Sequence, residues 1–218
     1  MFKICLMALT LTFSGVSHAR VEDVKNDIID LAREFKGTTD PTGEKQEQLE
    51  ERVEDLLAFV PNFTMEEKVL RAAGAWKQVW GPYAFNGSSG IPTGLNIDKI
   101  FQVLSKDGYY YNFAQYELFG LTFRSFLRGN YEIESDRVTV EFTNSGLILG
   151  EEDTPMYKLT DELENDEIRT IRFPSFLPPI GIEGSLIEVY ADEDIRINYG
   201  TSENQPERSI FILKRVEL

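Results

Sequence analysis

The chain has one cysteine and one histidine, and both, Cys5 and His18, lie before residue 20. Everything after Ala19 therefore lacks the groups that form disulfides, act as thiol or imidazole nucleophiles and bases, or build most transition-metal sites. Carboxylates, lysines, tyrosines and hydroxyls remain, and they show no sharp nucleophile–base constellation. The expectation is a non-enzymatic protein without cofactor or metal. Positive charge is scarce as well, with 22 Lys and Arg against 37 Asp and Glu and a net charge of −15. Such a surface repels nucleic acid and anionic lipid headgroups, and it favours solubility. Internal repeats and low-complexity segments are lacking, and so are long apolar runs, with one exception.

That exception is Ile4 to Val16, which follows Lys3 and ends at Ser17-His18-Ala19. A basic residue, a short apolar core and a small-x-small end define a secretory signal peptide, too short to span a bilayer. Cleavage after Ala19 and a periplasmic or secreted location are expected. Cys5 precedes the apolar run, which argues against a lipoprotein anchor. A plastid transit peptide would be Ser- and Arg-rich and would lack this core, so export from a bacterium is the better reading.

What is present is a helical opening followed by strands. Val21, Val24, Ile28, Leu31 and Phe35 share one helical face, and Leu49, Val53, Leu56, Leu57 and Val60 share another. Thr64 to Glu67 reads as a capping box for a short third helix ending near Gly74. From Trp76 onward, strands are predicted at about Ala75–Tyr83, Lys99–Leu104, Tyr109–Tyr116, Leu121–Leu127, Tyr131–Glu134, Arg137–Thr143 and Ile168–Phe173, with three more in the closing segment. Gly129-Asn130 is read as a break, Lys106-Asp107-Gly108 as a hairpin turn, and Pro155 to Asp166 as a polar, helix-compatible stretch. With 15 Phe and 9 Tyr, the core should be large and strand-rich. Short strands without crossover-length helices imply an antiparallel meander, and about eight of them close into a barrel. The expected organisation is a signal peptide at 1–19, a helical segment at 20–73 packing on the barrel, and the barrel itself at 74–218. The fold class is mainly β, a lipocalin-like antiparallel β-barrel with an N-terminal helical segment.

The closing segment from Ile171 to Arg215 carries the most specific pattern. Tyr190, Asp192, Glu193, Asp194, Ile195, Arg196, Ile197 and Gly200, followed by Phe211 and Leu213, resemble the last strands of the plastid lipid-associated protein (fibrillin) family, where an apolar proline-containing loop leads into this pattern. Gly74-Ala75-Trp76, Gln102 with Gly108 and Tyr111-Asn112, and the stretch from Gly129 to Phe142 are similar to earlier family positions. Ala191, Leu186 and Tyr199 depart from it, and the loop Thr201 to Glu207 is longer. The resemblance implies binding of a lipid or another small hydrophobic molecule, isoprenoid- or quinone-like, in a barrel cavity. The alternative is an envelope protein–protein interaction module with a filled core, docking through its charged N-terminal helices.

Candidate cavity or portal residues are Gln102, Tyr111, Asn112, Arg124, Phe176, Leu177, Ile180, Tyr190 and Arg196. Asn112 and Arg124 sit in otherwise apolar or aromatic strands and need hydrogen-bond partners if they face inward. Trp76 is read as plugging a barrel end, under Arg215. Asp192-Glu193-Asp194 is read as a surface turn paired with Arg196, in preference to a cation or acid–base site. The loop Pro174 to Gly184, with Phe176, Leu177, Ile180 and Ile182 and almost no charge, is either a plug or a portal that contacts membrane or lipid aggregates.

Overall fold

The computed structural model describes residues 19–36, 40, 42–81, 96–118, 121–149, 154–174, 180–181, 183–202 and 205–216. The chain divides into two compact units between Asn62 and Phe63.

The first unit contains helix α1, over 19–34, and helix α2, Glu44–Leu57. Their apolar stripes are buried: Ile28 and Ala32 on α1, and Leu49, Val53 and Leu56 on α2. Asp40 caps the start of α2 by accepting hydrogen bonds from the backbone N–H groups of Lys45 and Gln46. These donors have no partner within the helix, so the carboxylate serves both as acceptor and as a charge opposite the helix dipole.

The second unit opens with α3, Met65–Ala72. Thr64 and Glu67 form the reciprocal capping box predicted for this helix. Among the described residues nine strands follow: β1 Gly74–Trp80, β2 Asn96–Leu104, β3 Tyr109–Leu118, β4 Leu121–Ile133, β5 Val138–Leu149, β6 Thr170–Arg172, β7 Glu183–Ala191, β8 Ile195–Ser202 and β9 Gln205–Arg215. Helix α4, Met156–Glu164, lies between β5 and β6. Every pairing is antiparallel, and β4 pairs with β5 while β9 pairs with β1, so eight strands close into a barrel. The mainly β, lipocalin-like barrel read from the sequence is the fold that forms.

The short strand β6 stands outside the ring. It pairs with the C-terminal half of β5, at Gly146 to Ile148, whereas β7 pairs with the N-terminal half, at Val138 to Glu141. The barrel wall therefore changes partner halfway along β5.

One strand differs from the expectation. Leu121–Leu127 and Tyr131–Glu134 are not two strands; β4 runs unbroken through Gly129-Asn130. Opposite Gly129 the register shifts, and a Cβ on Gly129 would lie 2.7 Å from the Glu141 carbonyl oxygen. Glycine is there to permit close approach of two backbones at a bulge, not to end a strand.

The register tells the inward from the outward side chains. Trp76, Gln102, Tyr110, Asn112, Glu188, Arg196, Asn198, Phe211 and Leu213 fall on one face of the continuous ladder. The Arg196 guanidinium on β8 reaches Gln102 on β2, two strands that β9 and β1 separate along the wall. Such a contact can only cross the lumen, so this face is the inner one. The opposite face carries Ala75, Phe101, Val103, Tyr111, Phe113, Phe126 and Ile148, and α4 covers it with Met156, Leu159 and Leu163. Both faces of β2 to β4 thus carry buried side chains.

Candidate functional site

The two ends of the barrel differ. At one end the connections are tight: Ser105 to Gly108 between β2 and β3, Glu134 to Arg137 between β4 and β5, and Asp192 to Asp194 between β7 and β8. Helix α3 closes this end, packing Met65, Val69 and Ala72 against Leu104, Tyr110, Val138, Val140 and Ala191. Trp76 is fully buried beside it, donates its indole N–H to the Ala72 carbonyl at 2.7 Å, and lies under the Arg215 guanidinium at 4.0 Å. Arg215 in turn donates to the backbone carbonyls of Ala73 and Asp192. The plug under Arg215 expected for Trp76 is present.

Above this plug lies a polar layer. Arg196 and Glu188 are both fully buried and form a two-pronged ion pair, with Nε to Oε2 at 3.0 Å and the second contact between Nη2 and Oε1. Gln102 accepts from Arg196 Nη1 at 3.2 Å, and Tyr110 donates to Asn112 at 3.0 Å. Burial alone would favour the neutral form of the guanidinium, but the facing Glu188 outweighs it and holds the Arg196 pKa above its ordinary value. Burial also pushes the Tyr110 phenol well above its usual range, so it stays protonated and donates.

Going from the plug toward the opposite end, three of the inward series reach a glycine. On β8 they run Arg196, Asn198, Gly200; on β7, Glu188, Leu186, Gly184; on β1, Trp76 and Gln78, with Gly81 following just past the end of the strand. Two half-buried aromatic rings lie over the glycine positions: Phe211 at Gly81 and Gly200, and Phe142 at Gly184. Tyr116 and Phe123 stack at 5.4 Å on the inner wall of the same half.

The candidates from the sequence separate into groups. Gln102, Asn112 and Arg196 come together in the lumen. Tyr111 and Arg124 lie on the outer face. Tyr111 donates to Glu164 of α4, and Arg124 meets Gln115 and the Thr154 carbonyl. Tyr190, displaced by a bulge after Glu188, also faces outward and donates to Asp192 at 2.8 Å. Ile180 is half-buried beside Gly181, whose N–H donates to the Phe142 carbonyl. Phe176 and Leu177 lie outside the described residues.

A further correction concerns the acidic turn. Arg196 does not pair with Asp192 or Asp194; its partner is Glu188. Asp192 instead shapes the turn, accepting from the N–H groups of Asp194 and Ile195. The bulge between Glu188 and Tyr190 is the cause, since it places Glu188 on the same inner face as Arg196. Glu188 and Asn198 were missed; the only sequence signal is a charge and an amide inside otherwise apolar strand patterns.

A second feature lies outside, where a cleft of about 230 Å³ opens beside the end of α4, lined by Tyr111, Arg128, Asn144, Glu164 and Arg172 among others. Glu164 receives Arg128 Nε at 2.8 Å and the Tyr111 hydroxyl, and Asp166 pairs with Arg172. Each arginine faces a carboxylate, so the cleft has little charge to offer a ligand, and Glu164 reads as the anchor of α4. Partial burial of Glu164 raises its pKa, but the hydrogen bonds from Arg128 and Tyr111 outweigh that and leave it below its ordinary value. A folded-state pKa below the unfolded one stabilises above the unfolded value and is lost as pH falls through the folded one. Amide exchange in α4 should therefore quicken, relative to the barrel strands, as pH drops below the ordinary glutamate range. Glu164→Gln should remove that pH dependence. Equal acceleration of α4 in both proteins would show that another group controls it.

The fold and this interior together define an eight-stranded antiparallel barrel, plugged at one end by a helix and a tryptophan and lined with glycine and aromatic positions toward the other. Comparison with protein-family models and with curated protein sequences gives no match.

Proposed function

We propose that this protein is exported and binds a lipid or another small hydrophobic molecule, isoprenoid- or quinone-like, in the barrel lumen, without catalysing a reaction. The observation that carries the reading is the set of glycines away from the plug: the inward series of β7 and β8, and the one that leaves β1, each reach a glycine there, with an aromatic ring against the bare backbone. Glycine at an inward position adds chain entropy to the unfolded state and no side chain to the core, and here it makes room for an aromatic ring instead. Rings on glycine leave apolar faces that a ligand chain can cover. Burying about 300 Å² of such a chain contributes about 7.5 kcal/mol before the cost of association. The similarity of the closing strands to plastid lipid-associated proteins points to the same class of ligand.

The exposed Ile171 and Phe173, 55% and 39% accessible, lie at the outer strand β6 where the wall changes partner. They support contact with lipid aggregates on that side, despite the acidic surface. A filled-core interaction module is the second reading, and the fully buried half next to the plug favours it. Native mass spectrometry of protein recovered from its own periplasm separates the two. The expected species begins at Arg20 and carries a non-covalent adduct whose mass, after extraction, is that of a hydrophobic molecule. A bare chain, with no adduct gained on mixing with lipid vesicles, would favour the interaction module, and an intact leader would overturn export.

A further inference from the structure

Asn198 is the anomaly in this interior. It is fully buried, it faces the lumen between Glu188 on β7 and Phe211 on β9, and neither its side-chain oxygen nor its side-chain nitrogen has a hydrogen-bond partner. Buried amides are almost always satisfied, because an orphaned donor or acceptor loses its water and receives nothing in exchange. The neighbouring groups do not help. Glu188, Arg196 and Gln102 are engaged with one another, and Asn112 accepts from Tyr110. One step from Asn198 away from the plug, β8 presents Gly200, and the ring that lies over that glycine is Phe211, which is only half-buried.

We propose that Asn198 is the head-group site of the lumen, receiving the uncharged hydroxyl or carboxamide end of an amphiphile whose chain runs toward Gly200 and the end opposite the plug. The assignment rests on the ligand-binding reading above. An amide orphaned at both atoms offers one acceptor and one donor side by side, which a hydroxyl or carboxamide matches with one group. The head is neutral because, among the described residues, the charges next to Asn198 are Glu188 and Arg196, which already neutralise each other. An ionised carboxylate or phosphate would enter as a third, unpaired charge in a fully buried layer. It is also small, since the orphaned positions belong to a single side chain. Phe211 is the group that moves: swinging its ring off Gly200 opens the path to Asn198 without disturbing the ion pair beneath.

The test uses delipidated mature protein and three probes of equal chain length, 1-dodecanol, dodecane and laurate at pH 8, each measured by displacement of a fluorescent apolar dye. Dodecanol should bind about tenfold better than dodecane after correction for water solubility, and better than laurate, as expected for one matched hydrogen-bonding head. Asn198→Leu should remove the preference of alcohol over alkane while leaving dodecane affinity unchanged. It should also raise the melting temperature of the unliganded protein, because leucine fills a similar shape without orphaned atoms. Where leucine proves too large to fold, Asn198→Ala carries the same alcohol-to-alkane comparison. An unchanged preference in the variant, or tighter binding of laurate than of dodecanol, would overturn the head-group assignment while leaving ligand binding intact. If none of the three displaces the dye, the ligand-binding reading fails and this assignment falls with it.

Discussion

Arg196→Ala should lower the free energy of unfolding by about 3–5 kcal/mol, measured by urea denaturation at neutral pH. Both members of the Arg196–Glu188 pair have no accessible surface, so the substitution leaves a carboxylate buried without its counter-charge. Gln102 loses its donor as well. The cost comes from stranding Glu188 and is not a measure of what the pair contributes. Replacing both residues by leucine removes the stranded charge, and a substantial part of the loss should return. This contrast separates a buried pair from an exposed one, where removing either partner changes stability by under about 1 kcal/mol. A loss that small for Arg196→Ala would mean that water reaches the polar layer, and the closed base of the lumen would have to be abandoned.

Trp76→Ala is the second large effect, about 3–5 kcal/mol. The ring is fully buried at the foot of the lumen, where it packs under a guanidinium and ties the end of α3 through the Ala72 carbonyl. Alanine removes the packed volume and the hydrogen bond and takes the aromatic face from Arg215. Trp76→Phe keeps most of the packing and the face and loses only the N–H, so its cost should be a fraction of the alanine value. Amide exchange adds a readout specific to the plug: α3 should lose protection before the barrel strands do in Trp76→Ala. Uniform loss across the barrel, with α3 no more affected than β4, would show that Trp76 supports the core at large and does not latch the helix.

These two residues show different degrees of legibility. Trp76 could be placed from its neighbours in the sequence, because it opens the first strand directly after α3 and its indole N–H is satisfied four residues away, at Ala72. The capping box at Thr64 and Glu67 and the turn shaped by Asp192 were readable for the same reason, since each is satisfied within a few residues. Arg196 was picked out as a site residue but given the wrong partner. Its true partner is eight positions away, across a bulge that reverses the parity of β7. Tyr111 and Arg124 failed differently. On β3 and β4 the outer face is buried as the inner one is, because α4 lies against it, and alternation loses its sign when both faces are buried.

Local chemistry by itself determined the strand-rich class, the helical opening, the caps and turns, and the absence of thiol and imidazole chemistry after Ala19. Each depends on residue type or on a period of a few residues. The tertiary structure alone decided which face is inside, which charges meet, and that Asn198 is left without a partner. Those depend on register, and register is set by bulges and by barrel closure, which bring β2 and β8 together across the lumen although 94 residues separate Gln102 from Arg196.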